Sequence, residues 1–474
     1  MRKSFLGVKL KTLREQRGLT QAALAQLLQL SPSYVNQLEN NERPLSVSVL
    51  LRLQSGLGVD LQFFSEDEEA RLHAQLREIA AESGPPGGVP EAELRTLAQQ
   101  MPALAQLLLR LQARARGAEQ RLGDLGALGL AGREGEPLAG PGPHEAVRDF
   151  FYAQHNHIDS LDRAAEALAQ RLSAEAGEAD ESAAALAPRL EAYLGRVHGI
   201  RVQSVAEAGL RRYLPAARLL QLSEGLNPGQ RAFQMGTQLA YLECEAEIAR
   251  LLAGAALDAE ATALARIGLA SYFAGALVLP YGRFLAAAQT LRHDIALLAR
   301  RFGVSFETVC HRLSTLQRRE ARGLPFFFIR VDRAGNISKR QSATDFHFSR
   351  GGGTCPLWTV YEAFARPGRV LTQLARMPDG RSYLWIAHSE SQAPAAYGAP
   401  TREFAVGLGC DLRHAAQLVY AKGLDLGDPE SATPIGPGCK LCEREACAQR
   451  AFPALGKRLR IDENERAAQP YAAE

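Results

Sequence analysis

Three of the seven cysteines in this 474-residue chain stand together as C-x2-C-x4-C, at Cys439, Cys442 and Cys447 in "PIGPGCKLCEREACAQRAFP". Thiols gathered this closely among polar neighbours are poor candidates for core residues, and their chemistry as thiolates is to hold a soft metal or an iron-sulfur cluster. Cys410 in "VGLGCDLRHAAQLVY" can supply a fourth thiolate, with Cys355 in "SRGGGTC" as the alternative. Four-cysteine zinc sites usually bring two C-x2-C pairs, and only one is present, so the spacing leans toward iron and sulfide, with zinc as the other reading. Lys440, Arg444 and Arg450 flank the thiols and are expected to lower their pKa and to offset an anionic cluster. Cys244 and Cys310 stand alone in apolar helical stretches and read as small buried hydrophobes. "SRGGGTC" lacks the G-K-[ST] ending of a phosphate loop and reads as a turn beside Cys355.

A second candidate site is conspicuous for what it lacks. "RAFQMGTQLAYLE" has the texture of a helix that carries H-E-x-x-H, in which two histidines one turn apart hold zinc and the glutamate activates its water. Thr237 and Tyr241 stand where the histidines would be, and Gln238 replaces the glutamate. With "LASYFAGALVLPYGRF" further on, this region resembles the ImmA/IrrE-type zinc peptidase fold, and Leu269 falls at the place of that family's acidic ligand. No catalytic residue is left, which argues against an enzyme. A pocket without a metal is then expected to take a ligand, with Tyr241 and Gln238 as polar handles and Arg163, with Arg171 two turns on, toward an anionic group. His155, His157 and His347 have no histidine partner at helical spacing and read as ordinary polar residues.

The amino-terminal residues point to DNA. The first 64 residues hold eight Lys plus Arg against four Asp plus Glu, a bias that suits a polyanion. Thr20 is placed to cap "QAALAQLL" and Ser31-Pro32 to open the next helix, with Leu24, Leu27, Val35 and Leu38 set for a shared core. This is helix-turn-helix patterning. "GLTQAALA" and "YVNQLENNERPLS" resemble the two signature stretches of the Xre or Cro-like family. Gln21 is a candidate phosphate donor, Ser33, Tyr34, Asn36 and Gln37 candidates for base edges, and Arg43 for a backbone contact. "DIALLARRFGVSFETVCHRLSTLQR" looks like a second such motif but is read as structural.

Beyond these parts, the chain resembles the short-chain fatty acyl transcriptional regulators. The resemblance rests on "FFYAQHNHIDSLDRAAEALAQRL", "RFGVSFETVCHRLSTLQR", "GGTCPLWTVYEAF", "MPDGRSYLWIAHS" and "CKLCEREACAQRAFP". It implies an acyl-CoA or related metabolite as effector, operator DNA bound by a homodimer, and a [4Fe-4S] cluster as in some members. The competing functions are a peptidase-fold protein that acts on a partner repressor, or a DNA-binding oligomer without a ligand.

The elements that must position these residues divide the chain into four parts. Residues 1–65 read as a lambda-repressor-like five-helix domain, 66–145 as a helical connector with a Gly/Pro-rich linker, 146–320 as the degenerate peptidase-like sensor, and 321–474 as a mixed α/β domain carrying the cysteines. The fold class is therefore mainly α, multidomain, with strands at "GLPFFFIRVDRAGNISKR" and a hairpin around Asp379-Gly380. "PALAQLLLRLQARARGAEQRL" has helical apolar spacing and suits a connecting or dimerising helix. Net charge is only +3, and the sequence shows no unbroken apolar run long enough for a bilayer and no leader-like apolar stretch, so the expected setting is cytoplasmic, away from membranes.

Overall fold

A computed structural model describes the chain except residues 1–6, 41, 44, 58–65, 84–88, 128–142, 177–179, 181, 207–208, 345, 347–353, 393–396, 399–400, 446, 455–458 and 460–474. Most of the Gly/Pro linker, His347 and the glycines before Cys355 thus lie outside the described residues. The chain forms two compact units: residues 1–141, 345–354 and 437–474, and residues 142–344 and 355–436.

In the first unit, α1 (Gly7–Gln16), α2 (Gln21–Leu28), α3 (Pro32–Glu39) and α4 (Val47–Leu57) surround one small core. The Thr20 and Ser31 hydroxyls accept from the N–H groups of Ala23 and Tyr34, satisfying helix ends that would otherwise lack partners. Leu24, Val35 and Leu38 are fully buried as expected. Leu27 is not; at 39% exposure it lies over α4, where a Cβ on Gly56 would come within 2.4 Å of its Cδ2. Leu28 takes the inward position instead. Four helices are thus seen in residues 1–65; 58–65 lie outside the described residues, and the next helix starts at Glu66. Then α5 (Glu66–Ser83), α6 (Glu91–Gln100) and α7 (Pro102–Ala127) share a separate core of Leu72, Leu76, Leu94, Ala98 and Ala105.

The second unit opens with α8 (Pro143–Ala153), α9 (Asp159–Ala176) and α10 (Ala183–His198). A three-stranded sheet follows, β1 (Arg201–Val205), β2 (Arg211–Leu214) and β3 (Leu219–Ser223), in the order β1-β3-β2. The helical reading of this stretch missed it, because strands of four or five residues are too short to show a period. Helices α11 (Pro228–Glu243), α12 (Glu245–Ala253), α13 (Ala259–Val278), α14 (Tyr281–Thr290), α15 (Ile295–Phe302) and α16 (Phe306–Leu313) come next. Helix α13 is long and apolar enough to match a bilayer span, a run the sequence reading did not pick out. Here it is the central core helix, packed on α11 and α9.

The expected strands appear as β4 (Phe327–Val331) and β5 (Ile337–Ser342), and the Asp379-Gly380 hairpin joins β6 (Leu371–Arg376) to β7 (Ser382–Gln392). With β8 (Arg402–Asp411), the short α17 (Leu412–Ala415) and β9 (Thr433–Pro434), they complete a six-stranded sheet in the order β5-β4-β8-β7-β6-β9. Gly409 in β8 is required by close approach, since a Cβ there would meet the Phe327 ring at 2.1 Å. Leu384, Ile386, Val406 and Leu408 of this sheet belong to the same core as helices α9 to α16. One core therefore runs across the boundary expected near residue 320.

Candidate functional site

Helix α3 presents the candidate DNA face. Ser33 and Asn36 are exposed, Tyr34 and Gln37 half-exposed, and Arg43 lies over the Tyr34 ring at 5.4 Å. The following turn is fixed by the Gln37 carbonyl, which accepts from the Glu42 and Arg43 N–H groups. What holds α3 in place is a buried acid that the sequence reading did not single out. Glu39 is 4% exposed; Arg14 Nε donates to its Oε1 at 2.6 Å, and Gln21 Nε2 donates to its Oε2 at 2.7 Å. The hydrogen bond and charge of Glu39 raise the Arg14 guanidinium above its ordinary value. Gln21 also reaches Asn36 Oδ1 at 3.3 Å. Glu39 thus ties α1, α2 and α3 together through Arg14 and Gln21, while Ser33, Tyr34, Asn36, Gln37 and Arg43 line the candidate face. The signal was available: an acid within an otherwise uncharged recognition helix needs a cation.

Helix α16, in the second motif of this kind, is spent differently. Arg312 is buried and forms a two-pronged pair with Asp162 at 2.8 and 3.0 Å, and its Nε donates to the Leu279 carbonyl. Burial alone would raise the Asp162 carboxyl, but the charge and hydrogen bonds of Arg312 hold it below its usual range. Tyr272 donates to Asp162 at 2.7 Å, and Arg318 stacks 4.0 Å from the Tyr281 ring centroid while pairing with Glu166 at 2.8 Å. His157, expected to be an ordinary polar residue, is drawn into this network at 3.1 Å from the Tyr272 hydroxyl. Burial lowers its pKa against the pull of Asp162. The Arg312 side of α16 is core, as the structural reading of that motif anticipates, while Glu307, Thr308 and His311 are half-buried.

The emptied peptidase site lies on α11. Thr237 is buried and its hydroxyl donates to the Phe233 carbonyl at 2.9 Å, so it offers nothing outward. Leu269 is fully buried. At Gly236 an added Cβ would meet Ala274 at 3.2 Å, which measures how closely α11 and α13 approach. Gln238 is buried and accepts from Arg211 Nη1 on β2, and the same guanidinium lies 5.4 Å from the Tyr241 ring centroid. The structure thus brings Gln238 and Tyr241 together and adds Arg211, hidden from sequence reading because it comes from the overlooked strand. Arg163 is half-exposed and committed to Asp159 and Glu320.

The cysteines divide between the two units. In the first, Cys439 and Cys442 are buried and Cys447 is half-exposed. Their loop is wound around Arg450, whose guanidinium donates to the carbonyls of Cys439, Cys442, Arg444 and Phe452. Cys439 Sγ accepts from the Ala451 N–H at 3.1 Å. Burial pushes the Cys442 thiol up, and the neighbouring arginines only oppose this, which corrects the expectation of a lowered pKa at that one thiol. In the second unit, Cys410 points into the apolar core with its thiol pushed up to about 12 by burial. Cys355 Sγ accepts from the Gly436 N–H at 3.4 Å, and the Trp358 indole donates to the Gly436 carbonyl. Among the described residues no three His, Cys, Asp or Glu side chains are gathered closely enough to hold a metal ion as they stand.

A buried apolar core, a capped recognition helix and a basic amino-terminal segment define a DNA-binding protein of the helix-turn-helix class. Comparison with known proteins extends this along the chain. Residues 10–64 match the helix-turn-helix family, 196–314 the IrrE N-terminal-like domain, and 315–471 the short-chain fatty acyl coenzyme A regulator C-terminal family. The chain is 47% identical over 485 residues to the HTH-type transcriptional regulator RamB of Mycobacterium tuberculosis, covering 99% of each. It is 48% identical to the HTH-type transcriptional regulator PrpR of the same organism, over 99% of this chain and 96% of that one. The propionyl-CoA carboxylase regulator of Cereibacter sphaeroides is 43% identical over 99% of this chain and 98% of its own. A solved Mycobacterium tuberculosis transcriptional regulator aligns with a TM-score of 0.66 at 52% identity, over 70% of this chain and all of that one. The chain belongs to this family of Xre-type, DNA-binding transcriptional regulators.

Proposed function

We propose that this regulator is a cytoplasmic, non-enzymatic sensor that controls genes of short-chain fatty acid or acyl-CoA metabolism, with an acyl-CoA-type metabolite as its effector. The observation that carries the reading is the joining, in one chain with full-length similarity to a propionyl-CoA carboxylase regulator, of a DNA face on α3 with a peptidase site stripped of its ligands. Thr237, Gln238, Tyr241 and Leu269 cannot hold or activate a zinc-bound water, which weighs against cleavage of a partner repressor. Homodimerisation is supported by α7, whose Leu104, Leu107, Leu108 and Leu111 are all at least 40% exposed and recur at helical spacing. The test is operator binding by the full chain, with and without propionyl-CoA, acetyl-CoA and free CoA. An effector moves operator affinity only through different affinities for the free and DNA-bound arrangements, and a hundredfold preference gives about 2.7 kcal/mol. Identical operator curves in all four conditions would overturn the acyl-CoA reading.

A second reading, of redox or iron input, rests on the loop of Cys439, Cys442 and Cys447. Its donor set suits a [4Fe-4S] cluster, with zinc as the alternative, and the buried Arg450 suits a site of net negative charge. When bound, such a group would supply electron exchange or, as zinc, a structural tie. Of the two candidate fourth ligands, Cys410 is the less accessible, its thiol lying in the apolar core. Iron, zinc and acid-labile sulfide in protein purified without oxygen decide this. Iron with sulfide, lost on Cys442→Ser, is the expected result; zinc without sulfide removes the redox input.

A further inference from the structure

The emptied peptidase site keeps a positive charge. Of the positions that correspond to zinc ligands in the peptidase pattern, Thr237 bonds its own helix, Leu269 is apolar and Tyr241 presents an aromatic ring. A cation nevertheless sits there. Arg211 enters from β2, an edge strand of the small sheet, and places its guanidinium against Gln238 and Tyr241, the positions of the general base and the second histidine. Among the described residues it has no carboxylate partner; its neighbours are a neutral amide and the Tyr241 ring and phenol.

Such an arrangement is unusual. Arg211 is half-buried, and a charge withdrawn even partly from water is normally matched to a carboxylate. This chain does so where the charge is structural, as Arg312 with Asp162 shows. Burial lowers the Arg211 pKa, with Tyr241 opposing, yet a guanidinium remains charged at any ordinary pH. Its donors form a planar fork that fits an oxyanion with two parallel hydrogen bonds. Gln238 holds one Nη1 hydrogen and so fixes the fork's orientation, and the Tyr241 ring supports its face.

We propose that Arg211, oriented by Gln238 and Tyr241, is the oxyanion seat of the effector pocket, a guanidinium having replaced the zinc ion as the positive charge of the site. The ligand group it takes is a carboxylate or a phosphate, either at the end of a small organic acid or on a CoA-type ligand. This rests on the reading of the second unit as a metabolite sensor. It differs in saying which charge does the binding, and on which strand.

The test uses the full chain, with thermal unfolding and calorimetric titration against propionate, inorganic pyrophosphate, CoA and propionyl-CoA. The variants are Arg211→Met, Arg211→Lys and, as a control on a paired surface cation, Arg250→Ala. Wild type should be stabilised by at least one of these ligands, since a ligand that binds only the folded state must raise the midpoint. Arg211→Met should weaken that ligand by about ten- to a hundredfold, the loss of a charge-assisted pair, while its melting temperature without ligand stays equal or rises. Arg211→Lys should retain part of the affinity, and Arg250→Ala should leave it unchanged. Protection by propionate or pyrophosphate alone would keep the seat and remove the acyl-CoA reading. Undiminished acyl-CoA affinity in Arg211→Met would overturn the seat and leave that reading standing. A lowered ligand-free melting temperature with unchanged affinity would make Arg211 a structural residue and also overturn it. Absence of protection by all four probes would overturn both.

Discussion

Helices α3 and α16 are built from the same local instructions. Each follows a short helix across a tight turn closed by a left-handed residue, Gln29 or Gly303, and each begins at a serine cap, Ser31 or Ser305. Their surroundings are opposite. Helix α3 leaves Ser33 and Asn36 open and anchors itself from behind through Glu39. Helix α16 packs against α13 and β8 and turns its arginine into the core. A helix-turn-helix pattern is thus a statement about two helices and a turn; whether it reads DNA depends on what covers its polar face. The same contrast separates the guanidiniums of the second unit. Arg312 is matched by Asp162 and fastens elements together, whereas Arg211 is held by neutral groups and keeps its charge available.

Breaking the buried pair should have the largest effect. Asp162→Ala leaves Arg312 and Arg318 without their shared carboxylate and should cost about 3–5 kcal/mol by chemical denaturation. A midpoint within error of wild type would show that α16 does not depend on its buried charge.

The second unit also carries an acid-sensitive histidine. Burial pushes His293 down to about 4 from 6.5, so it is neutral in the folded protein and protonates more readily when unfolded. Its contribution is fully present above pH 6.5 and is lost as pH falls toward 4, up to about 3 kcal/mol. His293→Asn, which keeps a residue tolerant of the positive φ of 60° found there, should flatten the stability profile over that window. An unchanged slope between pH 6.5 and 4 would assign the acid response to other groups.

On α3, Gln37→Ala should weaken operator binding by about 1–3 kcal/mol, the range for a side chain at a base edge. The matched change on α16, Thr308→Ala, should leave operator affinity unchanged in the same gel-shift titration. Equal losses from both would erase the distinction drawn between the helices. The smallest effect belongs to what they share: Ser31→Ala and Ser305→Ala should each cost about 1 kcal/mol, as removal of a helix cap does. A large cost at only one would show that its cap also positions the turn.

Much of the candidate DNA site was legible in sequence because it is local. Caps at Thr20 and Ser31, the proline that starts α3 and the apolar spacing of Leu24, Val35 and Leu38 are relations across a few residues. The hairpin at Asp379-Gly380 was legible for the same reason, with Gly380 at a φ of 89° supplying the turn. Glu39 as the anchor of α3 was not, since its partners Arg14 and Gln21 lie 25 and 18 residues away. Leu27 was misplaced because helical spacing alone does not distinguish the inward line from its neighbour.

Sequence alone determined the class of each part: capped helices at the amino terminus, a peptidase-like helix without ligands, and clustered thiols near the end. Those are matters of residue type and short-range order, which the backbone obeys wherever the segment lies. Tertiary structure decided which charges are matched. Asp162 meets Arg312 across 150 residues, and Arg211 meets Gln238 across 27, from a strand too short to announce itself. Burial and pairing are properties of the packed chain, because the energy of a charge is set by what surrounds it once water has been excluded.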